Sequence, residues 1–93
     1  MSDAAYVEGV WEFLELGRNE LLKLERAIEL GDTLSIRSYT EGLITRAGSL
    51  GLGDVVRYAE EVKQAAYQVS LAGTLSSYQQ LRVSLDGLRE NLG

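Results

Sequence analysis

The side chains that could do chemistry in this chain are carboxylates, because its 93 residues include 14 Asp and Glu but no His and no Cys. Without thiolate or imidazole ligands we expect no zinc site, and a di-iron site of the Glu-x-x-His type cannot form. The pairs Glu25/Glu29 and Glu60/Glu61 have the spacing of helix-surface carboxylates rather than of an acid–base pair in a cleft. We therefore predict that the chain is not an enzyme and uses neither a metal nor another cofactor.

The length and the charge of the chain exclude several classes of protein. Its length predicts one domain, residues 1–93. The net charge of −5 and the absence of a Lys/Arg cluster argue against nucleic acid as a partner. The N-terminal residues lack the basic and apolar regions of a signal peptide, and no run reaches about 18 apolar residues. We therefore expect a cytoplasmic protein without a membrane span.

Four segments show the apolar spacing of amphipathic helices, and glycines lie between them. The first is predicted from about Ala4 to Leu30, and the second extends to near Leu50. Asp32, Asp54 and Thr74 are the predicted N-caps of the last three helices. Because the connections are short, neighbouring helices must be antiparallel. The sequence therefore predicts an all-α protein, an antiparallel up-down-up-down four-helix bundle.

The first helix is unusually long for such a bundle. Its 27 or so residues would extend roughly 40 Å, against roughly 27 Å for each of the others. The predicted overhang carries four apolar residues: Tyr6, Val7, Val10 and Trp11. Two interpretations stay open. The overhang pairs with a second copy of the chain to give a homodimer, or the helix bends at Gly9 or Gly17 and covers its own bundle.

The second helix is predicted to have an inner apolar face and an outer mixed face. The inward positions are Ile36, Tyr39, Leu43, Ala47 and Leu50. At about 100° per residue, Glu41 lies roughly 160° from Leu43 and therefore faces solvent. The residues that share or flank this outer face include Leu34, Arg37, Ile44, Thr45 and Gly48.

The outer face allows more than one interpretation. Arg37 precedes Glu41 by four residues, which is the spacing of an ordinary surface ion pair. Leu34 and Ile44 are apolar and lie beside small residues, which favours a contact patch for another protein. Single exposed apolar residues are nevertheless common on protein surfaces and need no function.

A family resemblance centres on residues 31–51, which read GDTLSIRSYTEGLITRAGSLG. This segment resembles the active-site helix of histidine-containing phosphotransfer (HPt) domains, four-helix carriers of phosphate between kinases and response regulators. That family has a Gly-Asp turn, a phosphorylated His nine residues after the Asp, and then Leu, Lys, Gly and a terminal Leu-Gly. Leu43 and Leu50–Gly51 match this pattern, but Glu41 stands in place of the His, Ile44 of the Lys and Thr45 of the Gly. The resemblance extends to residues 13–32 and 50–66.

The resemblance implies an HPt-like fold that has kept a docking surface and lost its phosphoacceptor. A carboxylate cannot replace imidazole in a phosphorelay, and Ile44 removes the cation that would stabilise a transferred phosphoryl group. Glu41 either imitates the charge of a phosphorylated His or is an ordinary solvated Glu.

The function implied by the resemblance is that of a non-catalytic adaptor in bacterial-type two-component signalling. It would bind a response-regulator receiver domain or a histidine kinase without carrying phosphate. The predicted contact residues are Leu34, Arg37, Glu41, Ile44, Thr45 and Gly48. The alternative function is a structural module that forms a homodimer through its first helix.

Overall fold

Four α-helices make up the chain in the computed structural model, which describes residues 3–68 and 70–92. They are α1 (Asp3–Leu30), α2 (Thr33–Ser49), α3 (Gly53–Tyr67) and α4 (Leu71–Leu92). Each helix packs beside the next one along the chain, and α4 closes the ring by packing beside α1. The predicted all-α, up-down-up-down four-helix bundle with a long first helix is confirmed.

Glycines with a left-handed backbone end α1 and α2. Gly31 has a φ of +67° and Gly51 a φ of +73°. In each turn the glycine N–H and the N–H of the next residue donate to carbonyls of the last helical turn, which is the Schellman arrangement. A residue with a Cβ is strained at such a φ. Glycine at these two positions therefore allows the chain to reverse within two or three residues.

The predicted N-cap is correct for α2 and wrong for α3. Asp32 accepts the Ser35 N–H at 3.2 Å and the Ser35 hydroxyl at 2.7 Å, so it caps α2. Asp54 lies inside α3, which begins at Gly53 and whose cap position, Leu52, offers no side-chain hydrogen bond. The carboxylate of Asp54 there faces the positive end of the helix dipole instead of closing the first turn.

The predicted cap of α4 is also wrong, because α4 begins at Leu71, before Thr74. The Ser70 hydroxyl oxygen accepts the Gly73 N–H at 3.0 Å, as a capping Ser does. Thr74 is buried, and its own hydroxyl donates to the Ser70 carbonyl. Its side chain packs into the core and is therefore not available as a cap.

The core receives one face from each helix. Its largest fully buried side chains are Tyr78, Leu24, Ile28, Leu43, Leu81, Val10 and Val62. The Tyr78 hydroxyl donates to the Leu21 carbonyl at 3.2 Å, which joins α4 to α1, and burial raises the pKa of Tyr78 above its usual 10.0. The apolar spacing of the third helical segment extends in the sequence to Val69, which lies outside the described residues.

The overhang of α1 is shorter than predicted. At 1.5 Å per residue the helix is about 42 Å long, close to the longest dimension of the molecule, 45 Å. Placing Val10 on an exposed overhang was wrong, because Val10 is fully buried and Trp11 packs partly buried against the core. A Cβ at Gly9 would lie 3.1 Å from Leu50 Cδ2, so the end of α2 reaches this part of α1.

Tyr6 and Val7 remain outside this contact. Their exposures are 46% and 37%. The exposed apolar part of the overhang is therefore about one turn, instead of the two turns that the lengths of the helices predicted.

Candidate functional site

The outer face of α2 carries the residues predicted to bind a partner, and we call Leu34, Arg37, Glu41, Ile44, Thr45 and Gly48 the α2 patch. Asp32 sets the start of α2, and Leu43 and Ala47 bury its opposite face. Five of the six patch residues are exposed, and Leu34 is 78% exposed. The helix therefore presents these side chains together on one surface.

Ile44 differs from the other patch residues. It is partly buried and packs against the core, whereas the sequence placed it on the outward side. Its position on the flank of α2 leaves only an edge of the side chain for a partner. Leu34 is therefore the main exposed apolar contact of the α2 patch.

Arg37 and Glu41 form the ion pair that their spacing predicted. Arg37 Nε lies 3.3 Å from Glu41 Oε2, and both side chains are about half exposed. The hydrogen bond to Glu41 raises the pKa of Arg37 above its usual value, and the Tyr67 phenol raises it further. The ion pair therefore places a guanidinium and a carboxyl group side by side in the α2 patch.

Tyr67 is a neighbour of the patch that sequence reasoning missed. It lies at the C-terminal end of α3 and is half exposed, although the sequence placed it on or beside a core stripe. Its effect on Arg37 shows that it reaches α2. The signal for this position was weak, because Tyr67 directly follows the buried Ala66 at the point where α3 ends.

Thr40 is a second residue that sequence reasoning missed, and it lies directly behind Glu41. It is completely buried, and its hydroxyl donates to the carbonyls of Ile36 and Arg37 at 2.8 and 3.0 Å. Its spacing from Ile36, Leu43 and Ala47 is that of a core position, which polarity alone obscured. Its polar atoms are satisfied within α2, so Thr40 contributes to the fold and not to the surface.

Two glycines of α2 have open space where a side chain would be. A Cβ at Gly42 or Gly48 would meet no atom within 4 Å outside the helix's own backbone. Neither glycine has a positive φ. The packing of this chain therefore does not explain why α2 carries glycine at these two positions.

The charged groups of the α2 patch are open to solvent. Glu41 lies on an open helix surface, paired with a guanidinium, and not in an enclosed site where a carboxylate would be activated. Among residues 3–68 and 70–92, no group of three or more acidic side chains could hold a metal ion. Charge, one exposed Leu and small neighbouring residues are what the patch offers to another molecule.

An open groove of the molecule lies away from the α2 patch. It has a volume of about 650 Å³ between α3 and α4 and is lined mainly by uncharged residues, with Asp54 and Tyr58 as its titratable groups. None of the α2 patch residues lines it.

None of the four helices, over the residues that the structure describes, has the length and apolar character needed to cross a membrane.

Comparison with known proteins found nothing similar to this chain. No family model, no curated protein and no solved structure matches it. The resemblance to HPt domains therefore stays a prediction made from residues 31–51, and the function has to be inferred from the residues of the chain itself.

Proposed function

We propose that the chain is a non-catalytic adaptor of the HPt type, which binds a receiver domain or a histidine kinase through the α2 patch and transfers no phosphate. Glu41 stands at the position that the resemblance assigns to the phosphoacceptor. It is exposed in the middle of α2, where a docked protein can reach it. The charge pair, Leu34 and the small residues then form the contact.

The observation that carries this proposal is a pair of exposed glycines in α2, Gly42 next to Glu41 and Gly48 about two turns after it. A glycine in a helix interior costs about 1 kcal/mol relative to Ala. Gly42 and Gly48 have no neighbour within this chain that a Cβ would strike. A helix or loop of another protein that approaches α2 closely is a physical reason to keep them, because only the missing Cβ permits that approach.

Purified proteins provide the test of this proposal. The receiver domains and histidine kinases of the source organism are titrated with the parent chain and with Glu41→Arg, and binding is measured by calorimetry. We expect at least one to bind with a micromolar Kd, the range of transient signalling contacts. Glu41→Arg should weaken that binding at least about tenfold, because it places a second positive charge beside Arg37 at the centre of the interface.

A matched control separates the α2 patch from general charge effects. Glu90→Arg makes the same change at an exposed position of α4, the helix that lies diagonally opposite α2 in the bundle. It should leave both the binding and the melting temperature close to those of the parent. Equal losses in the two variants, or no binding to any receiver domain or kinase, would contradict the proposal.

The variant Glu41→Gln decides between the two interpretations of Glu41. It keeps the shape of the side chain and removes the charge. If Glu41 imitates a phosphorylated His, Glu41→Gln should bind as weakly as Glu41→Arg. If Glu41 is an ordinary contact residue, Glu41→Gln should bind nearly as well as the parent chain.

A further inference from the structure

A second surface of the molecule lies on the side of the bundle formed by α1 and α4. These two helices pack less closely than the other neighbouring pairs, and they leave a groove of about 350 Å³. Buried Leu14, Leu85 and Tyr78 form its floor. Leu22 lines its rim with 62% of its surface exposed. The groove is therefore apolar at its base and open to solvent along its length.

The rim of this groove is rich in arginine. Arg18, Arg82 and Arg89 line it, which is three of the nine Lys and Arg of a chain with a net charge of −5. Within residues 3–68 and 70–92, none of the three forms an ion pair. The carboxylates that line the groove are Glu25 and Asp86. The groove thus has more positive than negative charge, and its occupant should be acidic.

The N-terminal half of α1 has the complementary character. Residues 3–17 contain four acidic side chains and no basic one. Val7 and Arg18 are eleven residues apart, so about 100° per residue places them within roughly 20° of each other around α1. By the same rule Glu8 and Glu15 lie about 80 to 100° around α1 from Val7, at the edge of the same side of the helix. Along one side of α1, the first half therefore carries acidic and apolar residues. The second half of that side forms one wall of the arginine-rimmed groove between α1 and α4, which we call the arginine groove.

We propose that the α1/α4 groove binds the N-terminal half of α1 from a second copy of this chain, in a symmetric dimer. A two-fold axis places the two α1 helices antiparallel, so each acidic half meets the arginine groove of the other copy. In that arrangement Val7 of each copy lies against the exposed Leu22 of the other copy. Glu8 and Glu15 of each copy approach Arg18 of the other copy. The dimer uses the α1/α4 side of the bundle and leaves the α2 patch open, so it is independent of the adaptor function.

A charge-swap experiment tests this dimer. The groove variant combines Arg18→Glu with Arg82→Glu, and the helix variant combines Glu8→Arg with Glu15→Arg. Sedimentation is measured for the parent, for each variant alone and for their equimolar mixture. We use about 100 µM chain, which is well above a micromolar Kd. Circular dichroism verifies that each variant keeps the helical content of the parent.

The expected result is a dimeric parent, two monomeric variants and a dimeric mixture. Each variant alone opposes like charges at both symmetric contacts, which should weaken self-association at least about a thousandfold and leave the variant mainly monomeric at this concentration. In the mixture both contacts again join opposite charges, so a heterodimer forms. A monomeric parent, a variant that dimerises alone, or a mixture that stays monomeric would each overturn the proposal. A monomeric parent would leave an acidic helix of another protein as the occupant to seek.

Discussion

At the scale of single residues, Thr40 and Glu41 are adjacent in the chain but have opposite roles. Thr40 is fully buried, with its hydroxyl bound to two carbonyls of its own helix. Glu41 is exposed and contacts Arg37 on the surface. A change at Glu41 therefore alters what another protein encounters without opening the core. A substitution at Glu41 can therefore test partner binding with little effect on the stability of the fold.

The first prediction at this scale concerns the α2 glycines. Gly42→Ala and Gly48→Ala should each stabilise the chain by about 0.5 to 1 kcal/mol, because Ala restricts the unfolded chain and suits a helix. The same changes should weaken partner binding, because the added methyl group separates the two surfaces. Urea unfolding and calorimetric binding measure the two effects.

Gly87→Ala is the matched control for these variants. Gly87 lies inside α4, and a Cβ there also meets nothing within 4 Å. It should stabilise the chain by a similar amount and leave partner binding unchanged. If Gly42→Ala and Gly48→Ala bind the partner as well as the parent does, the proposal that the partner approaches α2 closely at these glycines is wrong.

At the scale of the elements, the first connection depends on two neighbouring residues with different roles. Gly31 takes the positive φ that ends α1, and Asp32 caps α2 through Ser35. The second connection has the glycine turn without a side-chain cap, because Leu52 occupies the cap position of α3. The N-terminal end of α2 therefore has a side-chain cap, and the N-terminal end of α3 has none. The helix that carries the α2 patch thus has the better defined start.

The second prediction compares two aspartates near helix starts. Asp32→Ala should lower the melting temperature, because both of its oxygens accept hydrogen bonds from Ser35. Asp54→Ala should change it little, because Asp54 lies inside the first turn of α3 and is not its cap. Thermal unfolding followed by circular dichroism measures both, and equal effects would contradict the assignment of the caps.

The Asp32 contribution should also depend on pH. The hydroxyl of Ser35, followed by its backbone N–H, lowers the pKa of Asp32 below the usual 3.8. The folded state therefore binds a proton less readily than the unfolded state, so the contribution is present above the usual pKa and is lost as the pH falls through the lowered one. The difference in melting temperature between the parent and Asp32→Ala should shrink in that acidic range.

At the scale of the whole molecule, α1 runs along nearly the entire length of the bundle. The end of α2 covers α1 at Gly9, where Leu50 lies close. The core residues of α1 therefore begin at Val10, and the turn that carries Tyr6 and Val7 lies outside the core. One helix thus contributes both to the fold of its own chain and to the surface proposed to meet a second copy.

The third prediction separates these two parts of α1. Val10→Ala should destabilise the chain by about 2 kcal/mol, because it removes two methyl groups from a fully buried site. Val7→Ala should change stability by less than about 0.5 kcal/mol and should weaken the proposed dimer. Urea unfolding at low chain concentration, together with sedimentation, measures the two effects. A large loss of stability from Val7→Ala would show that the overhang is part of the fold.

The residue pattern is enough to predict the four helices, their antiparallel order and the outward position of Glu41. Local rules are sufficient for these features, because apolar spacing defines each helix and a glycine at positive φ ends α1 and α2. The Arg37–Glu41 pair was also predictable, since both residues lie on one helix.

The residue pattern does not predict what covers each helix end or which distant residues meet, because these features arise from the packing of the helices. Leu50 at the end of α2 lies beside Gly9 of α1, next to the buried Val10. The arginine groove combines Arg18 with Arg82 and Arg89, which are far apart along the chain. Such contacts depend on how whole helices lie against one another, and periodicity within one helix carries no information about that.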